Sequence, residues 1–403
     1  SMTIRAQLKS FSPTGLSDAE DAANVFEGAC ASLINLIPKP STRNLFVPRP
    51  AQTIMTEFPG FTTPGFISAL RIIGNIAYGM IATGRNPGHE EPFSYNIDAG
   101  TFNTISGVTN PNTPSSPSTS GAWTPPIMEL VGTRLIVTHP GFTGAPNFFG
   151  WIDITDPVLP TWNAGNTTTT PLPFVPTFVA NYNGRAVFSV REAAYFTDFL
   201  TLVVQASRVI TFFDNVHITA MKGLGLNTEV GGIVQSLIVF KAASAYQVKG
   251  DFDNTPDDLT RNAMNFAVGC TSPLSLVDTP IGIGGIFPDG LRIIDTNANF
   301  SDPVGSAGDG VNVPFLNALV PSRVVAACNA SILRVSVQNG GVAGTPQQEY
   351  WYHIGRNPRI WTGPHTFAPS LIEPYGTKFI TAPIDVEGAL YMSEGVPSTT
   401  TTY

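Results

Sequence analysis

Short apolar segments that flank a small or turn-forming residue recur along this chain at nearly constant spacing. Val, Ile, Phe and Tyr dominate the segments, so each unit has the composition of two β-strands joined by a turn. The central residues are Gly74, Gly132, Gly184, Gly232, Gly284 and Asn329. Their successive separations are 58, 52, 48, 52 and 45 residues, close to the roughly 40–50 residues of a propeller blade. The sequence therefore predicts an all-β fold, a β-propeller of about six blades.

A sandwich or jelly roll would also contain many short strands. It has no reason, however, to repeat a strand–turn–strand unit six times at this interval. Residues 1–60 precede the first unit and are predicted to form an extended N-terminal segment. Residues 61–403 are predicted to form the propeller domain, with long polar loops between strands. Within one unit, Ala242–Ser244 predicts a hairpin turn.

Two stretches are compatible with helices. Ser17–Leu36 begins with a Ser-x-x-Glu capping box, but Gly28 interrupts it. Arg191–Ser207 places several apolar residues on one helical face, although its β-branched content after Leu202 favours a pair of strands. The chain is thus predicted to contain almost no long helix.

Charged residues make up only 12% of the chain, about half of the usual share of roughly one quarter. The net charge of −8 argues against a protein that grips nucleic acid by neutralising phosphates. Only 6 of the 21 basic residues are Lys and the other 15 are Arg, which is the better residue for planar pairing at interfaces. This composition indicates a protein that assembles with others.

The three cysteines, Cys30, Cys270 and Cys328, form no Cys-x-x-Cys pair and are predicted to be buried free thiols. The most apolar uncharged run, Ile72–Gly84, has 13 residues, whereas a membrane-spanning helix needs about 20. We therefore expect a soluble protein without a membrane-spanning segment, made in a reducing cytoplasm.

Three stretches are weak candidates for chemistry. The acidic stretch Asp251–Asp258 could surround a cation, but it is more typical of a solvated turn. His89-Glu90-Glu91 could supply a general acid or base, but it is more typical of a loop tip. Trp351 and Trp361 could stack on sugar rings, but they are more simply explained as cross-strand partners in the last blade. No catalytic, cofactor-binding or metal-ligating residue is assigned, no cofactor is predicted, and the chain is not expected to be an enzyme.

Several segments carry more distinctive motifs. They are Asp214–Asp251, Val268–Asp295 and Glu349–Phe367, together with Asn35–Pro38 leading to Arg49-Pro50. Within them, the most specific stretches are Gly231–Phe240, the Pro288-Asp289-Gly290 turn and Trp361–His365. In combination these segments resemble the tail nozzle proteins of short-tailed bacteriophages, which are also called packaged-DNA stabilisation or tail accessory proteins.

The resemblance implies a structural virion protein without catalysis or cofactor. It implies a propeller subunit of a homo-hexameric ring that lies beneath the portal and adaptor rings at the head–tail connection. Such a ring extends the channel, retains packaged double-stranded DNA, passes it without sequence specificity during ejection, and carries tail fibres or spikes. The protein would be assembled in the bacterial cytoplasm and reside in the phage tail. An acidic channel wall would suit this role, because each phosphate contact adds affinity that ejection must break.

Two alternatives belong to other functional classes. One is a propeller-fold hydrolase acting on glycans, which usually needs two carboxylates that flank the scissile bond. The sequence contains no Ser-x-Asp-x-Gly-x-Thr-Trp box of the propeller sialidases. The other is a receptor-binding tail protein, which would be expected to carry lectin-like or β-helical repeats.

Overall fold

The computed structural model describes the greater part of the chain. The described residues are 15–16, 29–30, 35–38, 46–49, 52–57, 67–82, 88–109, 112–115, 125–227, 233–250, 259–264, 269–304, 321–338, 347–366, 369–383 and 389–393. Within these ranges, seven sheets of three to five strands form the blades of a β-propeller. Antiparallel hydrogen bonding joins consecutive strands within each blade.

The strands are numbered in chain order, and each blade runs from its innermost to its outermost strand. Four short strands precede the blades: β1 (Gly15–Leu16), β2 (Ala29–Cys30), β3 (Leu36–Pro38) and β4 (Phe46–Pro48). Blade 1 contains β6 (Ile67–Ile73), β7 (Ile76–Ala82), β8 (Glu90–Asn96) and β9 (Thr101–Thr104). Blade 2 contains β10 (Ile127–Val131), β11 (Arg134–Thr138), β12 (Phe149–Asp153) and β13 (Thr161–Gly165). Blade 3 contains β15 (Phe178–Tyr182), β16 (Arg185–Val190), β17 (Ala193–Thr197) and β18 (Val203–Thr211), with β14 (Thr168–Thr169) parallel to β18.

The remaining blades follow the same order. Blade 4 contains β19 (Ala220–Asn227), β20 (Ile233–Phe240), β21 (Ala245–Lys249) and β22 (Thr260–Ala263). The described residues of blade 5 form three strands, β23 (Val277–Thr279), β24 (Gly282–Phe287) and β25 (Gly290–Ile294). Blade 6 contains β26 (Val325–Cys328), β27 (Leu333–Gln338), β28 (Gln347–Tyr352) and β29 (Trp361–His365). Blade 7 contains β30 (Leu371–Tyr375), β31 (Lys378–Ala382), β32 (Ala389–Ser393) and, outermost, β5 (Gln52–Glu57). Two 3-10 helices, Pro273–Ser275 and Pro321–Arg323, precede the first strands of blades 5 and 6.

The propeller is confirmed, but it has seven blades rather than about six. The unit missed in the sequence is the hairpin β30–β31, whose turn residue Gly376 (φ 60°) lies 47 residues beyond Asn329. Its outermost strand comes from the other end of the chain, because β5 pairs antiparallel with β32. The unit is therefore incomplete in the C-terminal sequence, which explains why the repeat seemed to stop at six.

The pairing of β5 with β32 also bears on the predicted domain boundary at residue 60. That division stays a prediction, but β5 lies on its N-terminal side and is nevertheless a strand of blade 7. The first 60 residues thus include part of the propeller sheet.

Most of the turn positions expected from the repeat are found in turns. Between β15 and β16, Asn183 (φ 52°) and Gly184 (φ 79°) form a two-residue connection, the Asn-Gly hairpin turn in which both residues need a positive φ. Gly284 is an exception, because it lies within β24 and the turn is at residues 280–281. Gly232 lies outside the described residues.

The other local predictions have mixed outcomes. Arg191–Ser207 is not a helix, since β17 and the start of β18 occupy it, which confirms the strand interpretation. The turn at Ala242–Ser244 is confirmed, because the Lys241 amide donates to the Ser244 carbonyl at 2.8 Å. Most of Ser17–Leu36 lies outside the described residues, and its described parts include β2 and the first residue of β3.

The apolar core is divided into seven clusters, one between each pair of neighbouring blades. Between blades 2 and 3, the rings of Phe149 and Phe188 lie 4.6 Å apart. Between blades 4 and 5, Phe240 and Phe287 lie 5.6 Å apart. The second strands of the blades are the most continuously buried, as the burial of β7, β11, β16, β24 and β31 shows.

Two of the cysteines behave as predicted. Cys270 and Cys328 are buried free thiols, and burial raises the pKa of each to about 12. The side chain of Cys30 lies outside the described residues. Among the residues that the structure describes, no helix is long and apolar enough to span a membrane.

Candidate functional site

The innermost strands of all seven blades surround a cavity of about 120 Å³ on the propeller axis. Its charged lining includes Arg71 on β6, Glu129 on β10, Lys222 on β19 and Glu373 on β30. Arg71, Glu129 and Glu373 occupy equivalent positions, each three residues before the turn glycine of its hairpin. A charged residue at this place in the repeat is a signal that the sequence offered and that was missed.

Arg71 lies between two carboxylates from the neighbouring blades. Its Nη2 atom is 3.7 Å from Oε1 of Glu129. Glu373 and Glu129 raise the pKa of Arg71, although burial opposes them. Burial raises the pKa of the Glu373 carboxyl to about 7, although the charges of Arg71 and Lys222 oppose this. Glu373 therefore changes protonation near neutral pH at the centre of the propeller.

A second cavity of about 270 Å³ adjoins the first at the ends where the innermost strands begin. We call this side of the propeller the upper face, and the side with the turns between first and second strands the lower face. The shared lining of the two cavities includes Ile127, Phe178, Pro273 and Leu274. The mouth is mainly apolar, with His217 and several hydroxyl groups at its edge.

The size of the axial cavity determines whether duplex DNA can pass along the axis of one propeller. The axial cavity has a volume of only about 120 Å³. One helical turn of duplex is roughly 34 Å long, with a major groove about 12 Å wide. Duplex DNA therefore cannot pass along the axis of one propeller.

The predicted aromatic cluster is found in blade 6, the sixth of seven blades. Trp351 and Trp361 lie on the adjacent strands β28 and β29, but they are not cross-strand partners: Trp351 lies opposite Thr362, and Trp361 lies opposite Tyr352. Because both indoles are buried, neither offers an exposed face to a sugar ring.

Two histidines of this cluster form a hydrogen-bonded chain. The backbone amide of Asn35 donates to Nδ1 of His365 at 3.1 Å, so the ring proton is on Nε2. That nitrogen is 3.2 Å from the Thr362 hydroxyl, which lies 2.9 Å from Nε2 of His353. Burial lowers the pKa of His365 to about 2 and that of His353 to about 3. Both rings are therefore neutral, and they position the N-terminal segment against blade 6.

A buried ion-pair network lies beside these histidines. Glu349 on β28 accepts from Nε of Arg334 at 2.5 Å and from Nη1 of Arg49 at 3.2 Å. All three side chains are at most 2% exposed, and both guanidinium groups lie within 5.4 Å of the Trp351 ring centre. Arg334 also donates to Ser393 of blade 7 at 2.5 Å. The network thus fastens Arg49, next to β4, where blades 6 and 7 meet.

Of the other two candidate stretches, the one around Glu90 differs from its prediction, and the acidic stretch is not among the described residues. Glu90 is not at a loop tip, because it begins β8 and its side chain is fully buried. Ser68 donates to Oε2 of Glu90 at 2.7 Å, and burial raises the pKa of this carboxyl to about 8. Asp251–Asp258 lies outside the described residues. In the described part of the chain, no group of three or more His, Cys, Asp or Glu side chains is arranged to hold a metal ion.

Exposed apolar side chains are concentrated around blade 3. Nine large apolar side chains of the described residues are exposed. Four lie on the lower face of blades 2 and 3, namely Val158, Leu159, Phe199 and Leu200, and we call them the lower patch. Three lie on the upper face of blade 3, and we call them the upper patch. Phe174 lies between β14 and β15, and Phe213 and Val216 follow β18. Seven of the nine therefore lie in one sector of the propeller.

The seven blades and the seven cores between them define this chain as a β-propeller. No protein-family model matches the chain, and no curated protein matches it. Among solved structures, this chain is similar to the computationally designed Ika8 protein, with 10% sequence identity. That similarity has a TM-score of 0.43 and covers 85% of this chain and 99% of Ika8.

Proposed function

We propose that this chain is a structural subunit of the tail nozzle of a short-tailed bacteriophage. In this role, several copies form a ring below the portal and adaptor rings, retain the packaged genome and pass it during ejection. The proposal combines the sequence resemblance with the β-propeller fold. The observation that carries it is the concentration of exposed apolar side chains in one sector, because isolated soluble proteins rarely leave such patches uncovered.

The small axial cavity agrees with this role in one respect. A nozzle subunit does not need a wide channel of its own, because the DNA passes through the centre of the ring. The net charge of −8 also agrees with a wall along which DNA slides without being held. The phage tail would then be the site of the protein, with the adaptor ring and tail fibres or spikes as partners.

The test is the assembly state of the purified chain with and without its adaptor ring. We expect native mass spectrometry and electron microscopy to find a closed ring, of six copies by the resemblance, seated on the adaptor. A ring that binds free duplex tightly at physiological salt would contradict the sliding wall. A chain that stays monomeric with and without the adaptor would overturn the nozzle assignment.

One observation favours a second candidate, a glycan hydrolase. Glu373 has a raised pKa and shares the axial cavity with Glu129, and such enzymes use a pair of carboxyl groups. Against it, Arg71 lies between the two carboxylates, and the cavity is smaller than the roughly 300 Å³ of a small-molecule pocket. Release of reducing ends from host polysaccharide, abolished by Glu373→Gln, would establish the hydrolase and exclude a purely structural role.

A further inference from the structure

Five charged side chains of the described residues lie around the propeller axis, and four of them form two ion pairs. Arg71 on β6 lies 3.7 Å from Glu129 on β10. The ammonium group of Lys222 on β19 lies 3.1 Å from the carboxylate of Asp278 on β23. The fifth is Glu373 on β30, which lines the axial cavity. Among the described residues, no basic side chain forms an ion pair with the Glu373 carboxylate.

The axis therefore carries one excess negative charge when Glu373 is ionised. The excess is the same if the pair of Lys222 and Asp278 is left out of the count because Asp278 is 77% exposed. The backbone amide of Ile72 donates to the Glu373 carboxylate, but an amide carries no net charge. Burial raises the pKa of this carboxyl to about 7, although the charges of Arg71 and Lys222 oppose the shift. A further cation next to Glu373 would stabilise its ionised form.

The axial cavity has room for such a cation if it is small. Its volume of about 120 Å³ exceeds the roughly 10–15 Å³ that a water molecule requires, and an ammonium group is about as large as a water molecule. The side chains of Arg71 and Glu129 are 34% and 19% exposed although they lie at the centre of the propeller. An ammonium group has three N–H donors and no acceptor, and the carboxylate oxygens of Glu129 and Glu373 can accept from it.

The mouth above the axial cavity has the opposite character, because its walls are mainly apolar. Its volume of about 270 Å³ is close to the roughly 300 Å³ at which small-molecule pockets begin. Ile127, Phe178, Pro273 and Leu274 line both cavities, so an apolar wall leads from the mouth to the axial charges. His217 is the one titratable side chain in the described lining of the mouth. Together the two cavities match a molecule with an apolar body and one cationic end.

From this arrangement we propose that the axial cavity and its mouth bind a small organic amine, with the ammonium group next to Glu373 and the apolar chain in the mouth. Charge selects this class of ligand, because a buried charge is favourable only where an opposite charge compensates it. A carboxylate would increase the excess negative charge, and an alcohol would leave it unchanged. The site lies on the axis of a single chain, so it does not depend on the proposed function.

Three ligands with the same apolar chain test the preference for a cation. Hexylamine, 1-hexanol and hexanoate differ only in the charge and chemistry of the head group. Isothermal titration calorimetry of the full chain at about pH 8, where Glu373 is ionised, should find one hexylamine bound to each chain. Its affinity should be at least about tenfold higher than that of 1-hexanol, and hexanoate should bind more weakly than the alcohol. The proposal is overturned if hexylamine does not bind, or if 1-hexanol or hexanoate binds as tightly.

A series of amines of increasing length tests the role of the mouth. Ethylamine, butylamine and hexylamine carry the same charge and differ in the apolar area that the mouth can bury. The affinity should rise about fourfold for each methylene that enters the mouth. An affinity that does not change with chain length would show that the mouth takes no part in binding, and this part of the proposal would be refuted.

Glu373→Gln keeps the size of the side chain and removes its charge. Because burial opposes the ionisation of Glu373, we expect the variant to fold, with a circular dichroism spectrum like that of the wild type. It should bind hexylamine at least about tenfold more weakly and 1-hexanol equally well. The matched control is Glu192→Gln, in the turn between β16 and β17, which removes a carboxylate that lines neither cavity. Unchanged hexylamine binding by Glu373→Gln, or an equal loss in Glu192→Gln, would overturn the proposal.

The pH dependence of binding gives a second readout for the same carboxyl group. Hexylammonium keeps its charge near neutral pH, whereas Glu373 is protonated below its pKa of about 7. The affinity for hexylamine should therefore fall by about tenfold for each pH unit below 7. Glu373→Gln should lose this dependence and His217→Gln should keep it, and the opposite result would assign the effect to His217 and refute the role of Glu373. The other charged groups of the described residues around the site are Arg71, Glu129, Lys222 and Asp278.

Discussion

Where blades 6 and 7 meet, charged side chains are buried, whereas at the two ends of blade 3 apolar side chains are exposed. Arg49, Arg334 and Glu349 are at most 2% exposed, whereas Leu159 and Phe213 are 71% and 78% exposed. Both arrangements reverse the usual distribution of polar and apolar residues.

The difference lies in what covers each region. The buried charges are covered by this chain itself, because the N-terminal segment lies on them and each charge has an opposite partner. The exposed apolar residues have no such cover among the described residues, although ordered loops present them. The first region therefore holds one chain together, and we expect the second to hold one chain to another.

The largest effect is expected from breaking the buried network. Glu349→Ala leaves Arg49 and Arg334 buried without their carboxylate, which should lower the free energy of unfolding by about 3–5 kcal/mol. Urea denaturation measures the loss. The matched control is Asp278→Ala, which removes a 77% exposed partner of Lys222 and should cost less than about 1 kcal/mol. Equal losses for the two variants would contradict the contrast between buried and exposed charge.

A pH series should reveal the effect of the buried Glu90 carboxyl group on stability. A carboxyl group whose pKa is raised by folding stabilises the fold below its unfolded pKa of about 4.5, and it loses that contribution as the pH rises towards about 8. Between about pH 5 and pH 7.5, wild-type stability should therefore fall by about 3 kcal/mol relative to Glu90→Gln. Thermal denaturation of both proteins across this range measures the difference, and parallel curves would refute the role of Glu90.

Substitution of turn glycines should lower the free energy of unfolding by a smaller amount. Gly184 has a positive φ (79°), and an added Cβ would clash with the Phe199 ring. Gly376 has a similar φ (60°) with nothing near its Cβ position. We expect about 1 kcal/mol of destabilisation for Gly376→Ala and about 2 kcal/mol for Gly184→Ala, which must also move Phe199. Denaturation gives both values, and the comparison fails if Gly376→Ala costs as much.

The smallest effect on stability is expected at the exposed apolar residues themselves. Leu159→Asp and Phe213→Asp should change the free energy of unfolding by less than about 0.5 kcal/mol, because these side chains are mostly exposed. Urea denaturation at a concentration where the wild type is monomeric measures this. A loss comparable to that of Glu349→Ala would mean that these side chains stabilise the monomer, and the contrast between the two regions would disappear.

The repeat in the sequence was sufficient to predict the propeller, because turns such as Asn183-Gly184 can adopt the required backbone with few other residues. It was insufficient for the blade count, because blade 7 takes its outermost strand from residues 52–57. Pairing between segments so far apart leaves no local pattern.

The candidate sites were harder to predict for a different reason. The surroundings of Glu90 and Glu349 come from distant segments of the chain, which contribute Ser68 and Arg49 among others. A single carboxylate in the sequence looks the same whether it is exposed or enclosed. The charged residues of the axial cavity would have been easier to predict from the sequence, since Arg71, Glu129 and Glu373 each precede a turn glycine by three residues. The exposed patches could not be identified from the sequence. An apolar residue in a polar loop does not reveal whether its side chain is exposed to solvent or packed against the protein.

The pairing of β5 with β32 has a consequence for the timing of folding. About 330 residues separate the two strands, so at roughly 5–20 residues per second the ribosome needs tens of seconds to make the second after the first. During that interval β5 has no β32 to pair with, and the circle of blades cannot close. Completion of the propeller thus waits for the synthesis of β32, about 330 residues after β5.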